Sequence, residues 1–443
     1  MKKLEKLIEF GFYLFIFLLP WQTRLIWREA AINGSIWEYG RFCLYGTELL
    51  LWAVLFLYLI WLFKNKRFKK INLTDFFSRL KDKGVLIYWL IVLFVLIGGF
   101  SIFWALDYNL AYNRWLTLLE AVAICSMILI FNFKIEKIAI AWVLTSAIQG
   151  VFAVWQFFSQ YIFPNKWLGL AEHWPTVAGS IILQTDAERW LRAYGSLPHP
   201  NILGGFLTVS LLFLIYLALQ AKTQSQRIFV LASLLAIIPG LFFTFSRSAW
   251  LAAIFSFIVL AFWLWQKKDY FLNQTFLKVF FLMFLMVVIL AINLQNPLLV
   301  RFQGEQKTEV ASIQLRMTFT EQAWQLTKDS PLLGQGIGNY TLGVYQKINP
   351  AWPGYYYQPV HNIYILALAE LGIFGALVFY LILFYLISAL IKNAFSLEKI
   401  ILFLALISIL IISLFDHYFW TLYFGVVVFW LILGLNLKSI KAK

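Results

Sequence analysis

Apolar runs as long as a lipid bilayer is thick follow one another along most of this chain, separated by short charged segments. A hydrocarbon core of about 30 Å takes about 20 helical residues to cross. Runs of that order lie near residues 6–20, 42–63, 85–105, 115–133, 138–160, 202–220, 228–245, 248–266, 276–295, 361–391, 398–415 and 418–436. With 62% hydrophobic and 13% charged residues over 443 positions, a water-soluble domain is excluded. The runs lack the in/out alternation of a membrane barrel, and lipid obliges each segment to satisfy its own backbone polar groups, so they predict helices. The expected fold is all-α, a polytopic transmembrane helical bundle of about twelve spans. No tandem repeat, low-complexity tract or domain-sized soluble tail interrupts it, so 1–443 reads as a single membrane domain.

The first run follows Met1-Lys2-Lys3 like a signal peptide, but Leu19-Pro20-Trp21-Gln22 offers no small-residue cleavage site, so it is read as an anchor. That sets both termini in the cytosol of a multi-pass inner (cytoplasmic) membrane protein, with most of the 36 Lys and Arg inside. Residues 64–83, with Lys64, Lys66, Arg67, Lys69, Lys70, Arg79, Lys81 and Lys83, form the clearest inside loop. The formal charge of +15 is thereby topological; it calls for no nucleic acid, and the inside lysines favour anionic lipid. The kind of cation is uneven. Only Arg67, Arg79 and Arg227 fall inside, whereas Arg24, Arg28, Arg41, Arg114, Arg189, Arg192, Arg247, Arg301 and Arg316 fall outside. A guanidinium grips phosphate oxygens with a planar fork and stays charged when partly desolvated. An extracytoplasmic phosphate or carboxylate ligand explains the bias; interfacial snorkelling beside Trp21, Trp27, Trp115 and Trp190 is the competing account.

Two outside loops are long, at about 161–201 and 296–360. The first ends in Arg192-Ala193-Tyr194-Gly195-Ser196-Leu197-Pro198-His199-Pro200-Asn201, where the prolines impose extended or turn backbone and shape the re-entry into the membrane. His199 is either a turn residue or part of a site. Phe245-Ser246-Arg247-Ser248 divides two apolar runs too long for one span, which predicts a tight reversal with Arg247 at the membrane boundary. In the second loop Ile313, Met317, Thr320 and Trp324 recur at helical spacing, which predicts an amphipathic helix over the outer surface with Arg316 flanking its apolar stripe. Gly334-Gln335-Gly336-Ile337-Gly338 lacks the Lys and Ser/Thr of a phosphate loop. Tyr355, Tyr356 and Tyr357 beside Trp352 suit stacking on sugar rings or an interfacial belt equally. His361 and Asn362 then open a span whose Glu370 lies about 13.5 Å along the helix axis, at membrane depth. A neutral imidazole at His361 is a suitable general base for a hydroxyl; an interfacial cap is its bland alternative.

Arg192 through Asn201, Ser246-Arg247, Arg316 through Asn339 and His361-Asn362 through Glu370-Leu371-Gly372 together resemble the O-antigen ligase and polymerase superfamily, over about residues 190–390. Asp416-His417-Tyr418 also looks similar. The resemblance implies an all-helical membrane bundle with a large extracytoplasmic loop carrying amphipathic helices, here 296–360. It implies a glycosyltransferase that takes a glycan from a polyprenyl-diphosphate carrier and joins it to an acceptor hydroxyl on a saccharide, lipid-linked or protein partner, with no metal and no cofactor. His361 would deprotonate or orient the acceptor. Arg192 and Arg316, with Arg247 as the alternative second arginine, would hold the diphosphate. His199, Tyr194, Asn362 and Glu370 are the further substrate-binding candidates, helix support being the other role open to Glu370.

Two rivals remain. Asp186-Ala187-Glu188 is an acidic pair that a metal-dependent enzyme would use, though such pairs are far more often solvated. A lipid or glycan transporter is equally natural for this span count, but no matched pair of broken helices stands out. Cys43 and Cys125 have neither CxxC spacing nor a disulfide framework and are expected as buried thiols.

Overall fold

The computed structural model describes residues 2–65, 83–185, 188–303, 307–392 and 395–441. The basic core of the expected inside loop and Asp186 of the acidic pair lie outside these residues; Glu188 lies within them and is exposed.

The chain is mostly helical: α1 (Lys2–Leu18), α2 (Gly46–Lys64), α3 (Lys83–Phe100), α4 (Tyr108–Ile130), α5 (Ile135–Ser159), α6 (Pro200–Gln220), α7 (Gln224–Phe243), α8 (Arg247–Lys267) and α9 (Tyr270–Asn293). The loop after α9 carries α10 (Gln295–Gln303), α11 (Lys307–Asp329) and α12 (Tyr340–Lys347), and the chain closes with α13 (Ile363–Lys392), α14 (Leu397–Ile412), α15 (Tyr418–Thr421) and α16 (Tyr423–Lys441). Among the described residues ten helices are long and apolar enough to cross a membrane, namely α2 to α9, α13 and α16. The other two expected runs are helical but shorter, 17 residues in α1 and 16 in α14. The protein is an integral membrane protein.

Three antiparallel ribbons depart from an all-helical reading: β1 (Arg24–Arg28) pairs with β4 (Phe42–Tyr45), β2 (Ala31–Ile32) with β3 (Ser35–Ile36), and β5 (Ile182–Gln184) with β6 (Arg189–Leu191). All lie outside the spans, where water or other chain segments can satisfy an edge strand. β4 takes Cys43 out of the expected span, so this thiol is half-buried, with Arg24 Nη1 3.7 Å from its sulfur, while Cys125 is buried as expected.

Helix α6 is the axis of the bundle, with every residue from Pro200 to Leu219 buried. Helices α5, α7 and α14 pack around it. Where α5 crosses α7, Gly150 meets the backbone of Ala236, and Gly240 stands against the Gly150 backbone; a side chain on Gly150 would collide with the Ala236 carbonyl. Some of the polar groups hidden in the apolar interior pair with one another. Trp142 Nε1 donates to Ser210 Oγ at 3.1 Å, and Ser146 and Ser210 hydroxyls lie 2.6 Å apart. At the edge, α9 buries only Phe276 and Met283.

The reversal expected at 245–248 is present: Phe245 adopts φ 47° and α8 begins at Arg247. Helix α11 is also present, but it turns a different face inward. Ile313, Met317 and Trp324 are exposed, and the buried stripe is Phe319, Gln322, Ala323 and Leu326. The helix carries two apolar faces, and the one that meets α12 and α13 is offset from the predicted one by about a third of a turn.

Candidate functional site

Polar side chains of α5 hold the first long loop at the mouth of α6. Gln156 Oε1 accepts from Tyr194 N at 2.9 Å and Gly195 N at 2.8 Å, while its amide donates to the Gly195 carbonyl at 2.7 Å. Gln149 Oε1 accepts from Ser196 N at 2.7 Å. So fixed, the loop delivers His199 as the N-cap of α6, where Nδ1 accepts from Asn201 N at 3.0 Å and Pro200 takes the first helical position, which needs no N–H. Arg192 is buried and clamps two elements together: Nε donates to the Thr244 carbonyl at 2.7 Å and Nη2 to Asn201 Oδ1 at 2.7 Å.

Asn201 continues the chain of contacts across the bundle, donating to Asp416 Oδ2 at 3.1 Å. Asp416 is buried in the hinge between α14 and α15, with Oδ1 accepting from His417 N at 2.9 Å. His417 Nδ1 meets Thr421 Oγ1 at 2.8 Å, and the Thr421 hydroxyl donates in turn to the His417 carbonyl at 3.3 Å. That pattern assigns the proton to Nδ1 and leaves Nε2 to accept from the Tyr39 hydroxyl, 3.4 Å away. Arg114 secures the far side, Nη1 donating to the Thr421 carbonyl at 2.6 Å.

His361 packs edge-on against His417 with ring centroids 5.0 Å apart. Over its other side lies Phe319 of α11, stacked with centroids 5.9 Å apart and planes 5° from parallel. Arg316 stands one turn before Phe319 and is half-buried, so the inward face of α11 that covers His361 also brings in this guanidinium. Three of the four histidines thus meet around one carboxylate. The fourth, His173, is remote, stacked on Tyr194 with centroids 4.5 Å apart.

The electrostatics follow from burial and these neighbours. Burial works to raise Asp416, but His361, His417, His199 and Arg316 outweigh it and hold the carboxyl at about 2. Burial pushes His417 to about 3, with His361, Arg316 and Arg114 adding to it and Asp416 opposing. His199 is likewise pushed by burial to about 3, against the pull of Asp416 and helped by Arg192, His361 and Arg316. His361 is lowered chiefly by burial, with Arg316 in the same direction and Asp416 and a hydrogen bond to the Pro359 backbone opposing. At neutral pH the cluster is one carboxylate, three neutral imidazoles and the Arg192 and Arg316 cations around them.

The remaining candidates separate from this cluster. Arg247 opens α8, with Nη1 3.3 Å from the Arg301 carbonyl. Tyr194 is buried with its hydroxyl accepting from Ile181 N at 2.7 Å, so it fastens the first loop. Asn362 caps α13, Oδ1 accepting from Tyr364 N at 2.9 Å and Ile365 N at 3.2 Å. Glu370 is buried and accepts from Trp420 Nε1 at 2.8 Å and from the backbone of Gly338 and Tyr340. The 334–338 glycines dock there because α13 breaks at Gly372 (φ 64°, ψ −172°): Gln335 N donates to the Ala369 carbonyl at 3.0 Å and Gly336 N to the Glu370 carbonyl at 2.9 Å. Of the tyrosine run, Tyr355 and Tyr356 are exposed and Tyr357 is buried, its hydroxyl donating to the Asn349 carbonyl at 2.6 Å.

Tyr39 and Arg114 are absent from the candidates drawn from sequence, and Asp416 and His417 entered only as part of a segment similar to the superfamily, with no role assigned. Their signal was slight: a chain with only four histidines places His417 beside an acid in a short connector between two apolar runs.

No curated protein matches the chain. Residues 231–380 match the family model described as O-antigen ligase. That stretch holds Arg247, Arg316, His361, Asn362 and Glu370, with Arg192, His199 and the Asp416 hinge folded onto it from either side, and it belongs to the O-antigen ligase superfamily.

Proposed function

We propose that this protein transfers a glycan from a polyprenyl-diphosphate-linked donor to an acceptor hydroxyl, at an extracytoplasmic site of the inner membrane and without a metal. The observation that carries the reading is the meeting of His361, a neutral imidazole, with Asp416 and with the Arg316 cation under one loop helix. In the reaction His361 takes the acceptor proton as the hydroxyl oxygen attacks the anomeric carbon. The bond from that carbon to the diphosphate oxygen breaks, and the electron pair leaves with the diphosphate. Asp416 stabilises the imidazolium that forms, and Arg316 and Arg192 neutralise the departing anion. Direct displacement inverts the anomeric centre. Arg316, whose charge acts on all three imidazoles, suits the role of second arginine better than Arg247.

The test is reconstitution of wild type and His361→Ala with a polyprenyl-diphosphate oligosaccharide and candidate acceptors in EDTA, with products read by mass. Transfer by the wild type that is lost in the variant is expected. Longer lipid-linked chains would identify a polymerase, and glycan on a separate acceptor a ligase. Transfer undiminished in His361→Ala would overturn the assignment of the base.

A further inference from the structure

The connector between α1 and α2 builds a second polar cavity beside the cluster. Its β1–β4 ribbon stands against the first turns of α2 and the first half of α4, and between them lies a pocket of about 200 Å³. Charged and hydrogen-bonding side chains alternate there with broad aromatic rings. At the loop end Glu38 is gripped by two arginines, Arg24 Nη1 at 2.6 Å on one oxygen and Arg41 Nη1 at 2.8 Å on the other. Exposed Trp27 offers its ring at the same end. Deeper along the helices, Glu120 accepts from Trp52 Nε1 at 2.7 Å, and Glu48 from Tyr45 N at 3.1 Å. On α4 the lining runs from Asn113 to Glu120, about 10 Å at 1.5 Å per residue. That depth takes a sugar unit or two, not a whole glycan.

The lining favours a neutral polyol over an anion. Its arginines are already engaged: Arg24 and Arg41 by Glu38, and Arg114 by the carbonyls of Thr421 at 2.6 Å and Tyr39 at 3.5 Å. Glu38, Glu48 and Glu120 match them in number, so no net positive charge awaits a phosphate. Fixed carboxylates and an amide suit hydroxyl groups, and aromatic rings suit the apolar face of a pyranose. Placement then says which sugar. Tyr39 is the wall between pocket and cluster, with its hydroxyl 3.4 Å from His417 Nε2. Ring centroids step 5.7 Å from Tyr39 to His417 and 5.0 Å from His417 to His361. The contacts that start at Arg192 pass through Asn201, Asp416 and His417 and end at Tyr39, so the pocket and Arg192 stand at opposite ends of one chain. Direct displacement needs the attacking oxygen and the departing diphosphate on opposite sides of the anomeric carbon.

We propose that this pocket is the acceptor subsite, seating a neutral sugar unit so that its hydroxyl passes Tyr39 to reach His361. The proposal rests on the glycosyl-transfer reading above. It makes the first connector, which lies outside the matched stretch 231–380, the part of the chain that selects the acceptor.

The experiment uses the full chain in nanodiscs with diazirine-bearing neutral disaccharides of glucose, galactose and N-acetylglucosamine. Labelled peptides are mapped with and without an excess of the unlabelled sugar, of a glucuronate disaccharide or of glycerophosphoethanolamine. Saturable label within 24–52 and 113–120, displaced by the neutral sugar alone, is expected. Label that is displaced only by glycerophosphoethanolamine makes the pocket a lipid-headgroup seat and overturns the proposal. So does label from every probe that fails to saturate or falls elsewhere. In the reconstituted transfer assay, Trp27→Ala removes a stacking face and Asn113→Trp fills the cavity. Each variant that keeps a monodisperse profile should raise KM for the acceptor about tenfold, with KM for the donor and kcat at saturating acceptor unchanged. An acceptor KM equal to wild type in both, or a loss confined to kcat, overturns the proposal. If the wild type transfers no glycan while the pocket is labelled saturably, the transfer reading fails and the saccharide site survives it.

Discussion

At Asp416 a negative charge lies buried among three imidazoles, and removing a buried charge from its partners costs several kcal/mol unless a neutral isostere keeps the hydrogen bonds. Asp416→Asn keeps the shape of the carboxylate but takes away the charge that would stabilise an imidazolium at His361. It should lower kcat by on the order of 10²-fold with KM little changed, measured in the reconstituted transfer assay. A kcat equal to wild type would reduce Asp416 to a fastener between α6 and the 413–417 hinge. The same cluster makes stability depend on pH. His199 and His417 stand at about 3 when folded, against about 6.5 when unfolded. Between those values the unfolded chain binds more protons, so stability falls as pH falls, by up to about 2 kcal/mol for each histidine from pH 6.5 to 5. Asp416, held at about 2, contributes stability that is lost only in stronger acid. Thermal unfolding in detergent should therefore occur at lower temperature at pH 5 than at pH 7.5, with a smaller difference in His417→Asn. At this scale the sequence was half legible. Arg192, Arg316 and His361 stood out because charge and imidazole beside apolar runs need a reason. Asp416 and His417 did not, since a short polar connector between spans is ordinary until folding brings it over α6.

Among the elements, α13 breaks at Gly372, and the glycine loop docks into the break. The φ of 64° with extended ψ belongs to a region that is almost exclusively glycine's, and a Cβ would also strike the Leu332 backbone. Gly372→Ala should lower stability by about 1–3 kcal/mol, seen as a drop in Tm, with transfer falling in proportion to the folded fraction. Glu370 anchors the other side of the same joint. Glu370→Ala strips an acceptor from Trp420 Nε1 and two backbone N–H groups, leaving buried donors unsatisfied at about 1–3 kcal/mol each. Glu370→Gln keeps a carbonyl oxygen for them and should recover much of the Tm. If Glu370→Gln instead retained Tm but abolished transfer, its charge would belong to the chemistry. The helices themselves were readable from run length, and the reversal at Phe245 from the impossibility of one span holding both runs. Helix α11 was misread in its facing because Ile313, Met317 and Trp324 form an apolar stripe as regular as the buried Phe319, Ala323 and Leu326. Periodicity cannot say which of two stripes meets protein. The β ribbons of two to five residues are too short to carry a pattern at all.

For the molecule as a whole, the cluster lies where α6 begins and α14 ends, and its residues come from loops, loop helices and helix starts at one end of the bundle. A site of this polarity suits chemistry on one face of the membrane. The lysine-rich connectors on the opposite side, including Lys134, Lys222, Lys267 and Lys268, argue that the site faces away from the cytosol. This can be measured on intact cells, with Cys43 replaced by Ser so that only the buried Cys125 remains of the native thiols. A cysteine at exposed Glu172, in the loop before α6, should react with a membrane-impermeant maleimide from outside. A cysteine at exposed Lys222, in the turn after α6, should react only once the membrane is opened. One helix separates the two positions, so they must lie on opposite faces if α6 spans, and the pair reports its own internal control. The reverse pattern would place His361 and Asp416 in the cytosol and rule out an extracytoplasmic transferase. Equal reactivity at both positions before permeabilisation would show that α6, buried along its length, does not cross the bilayer.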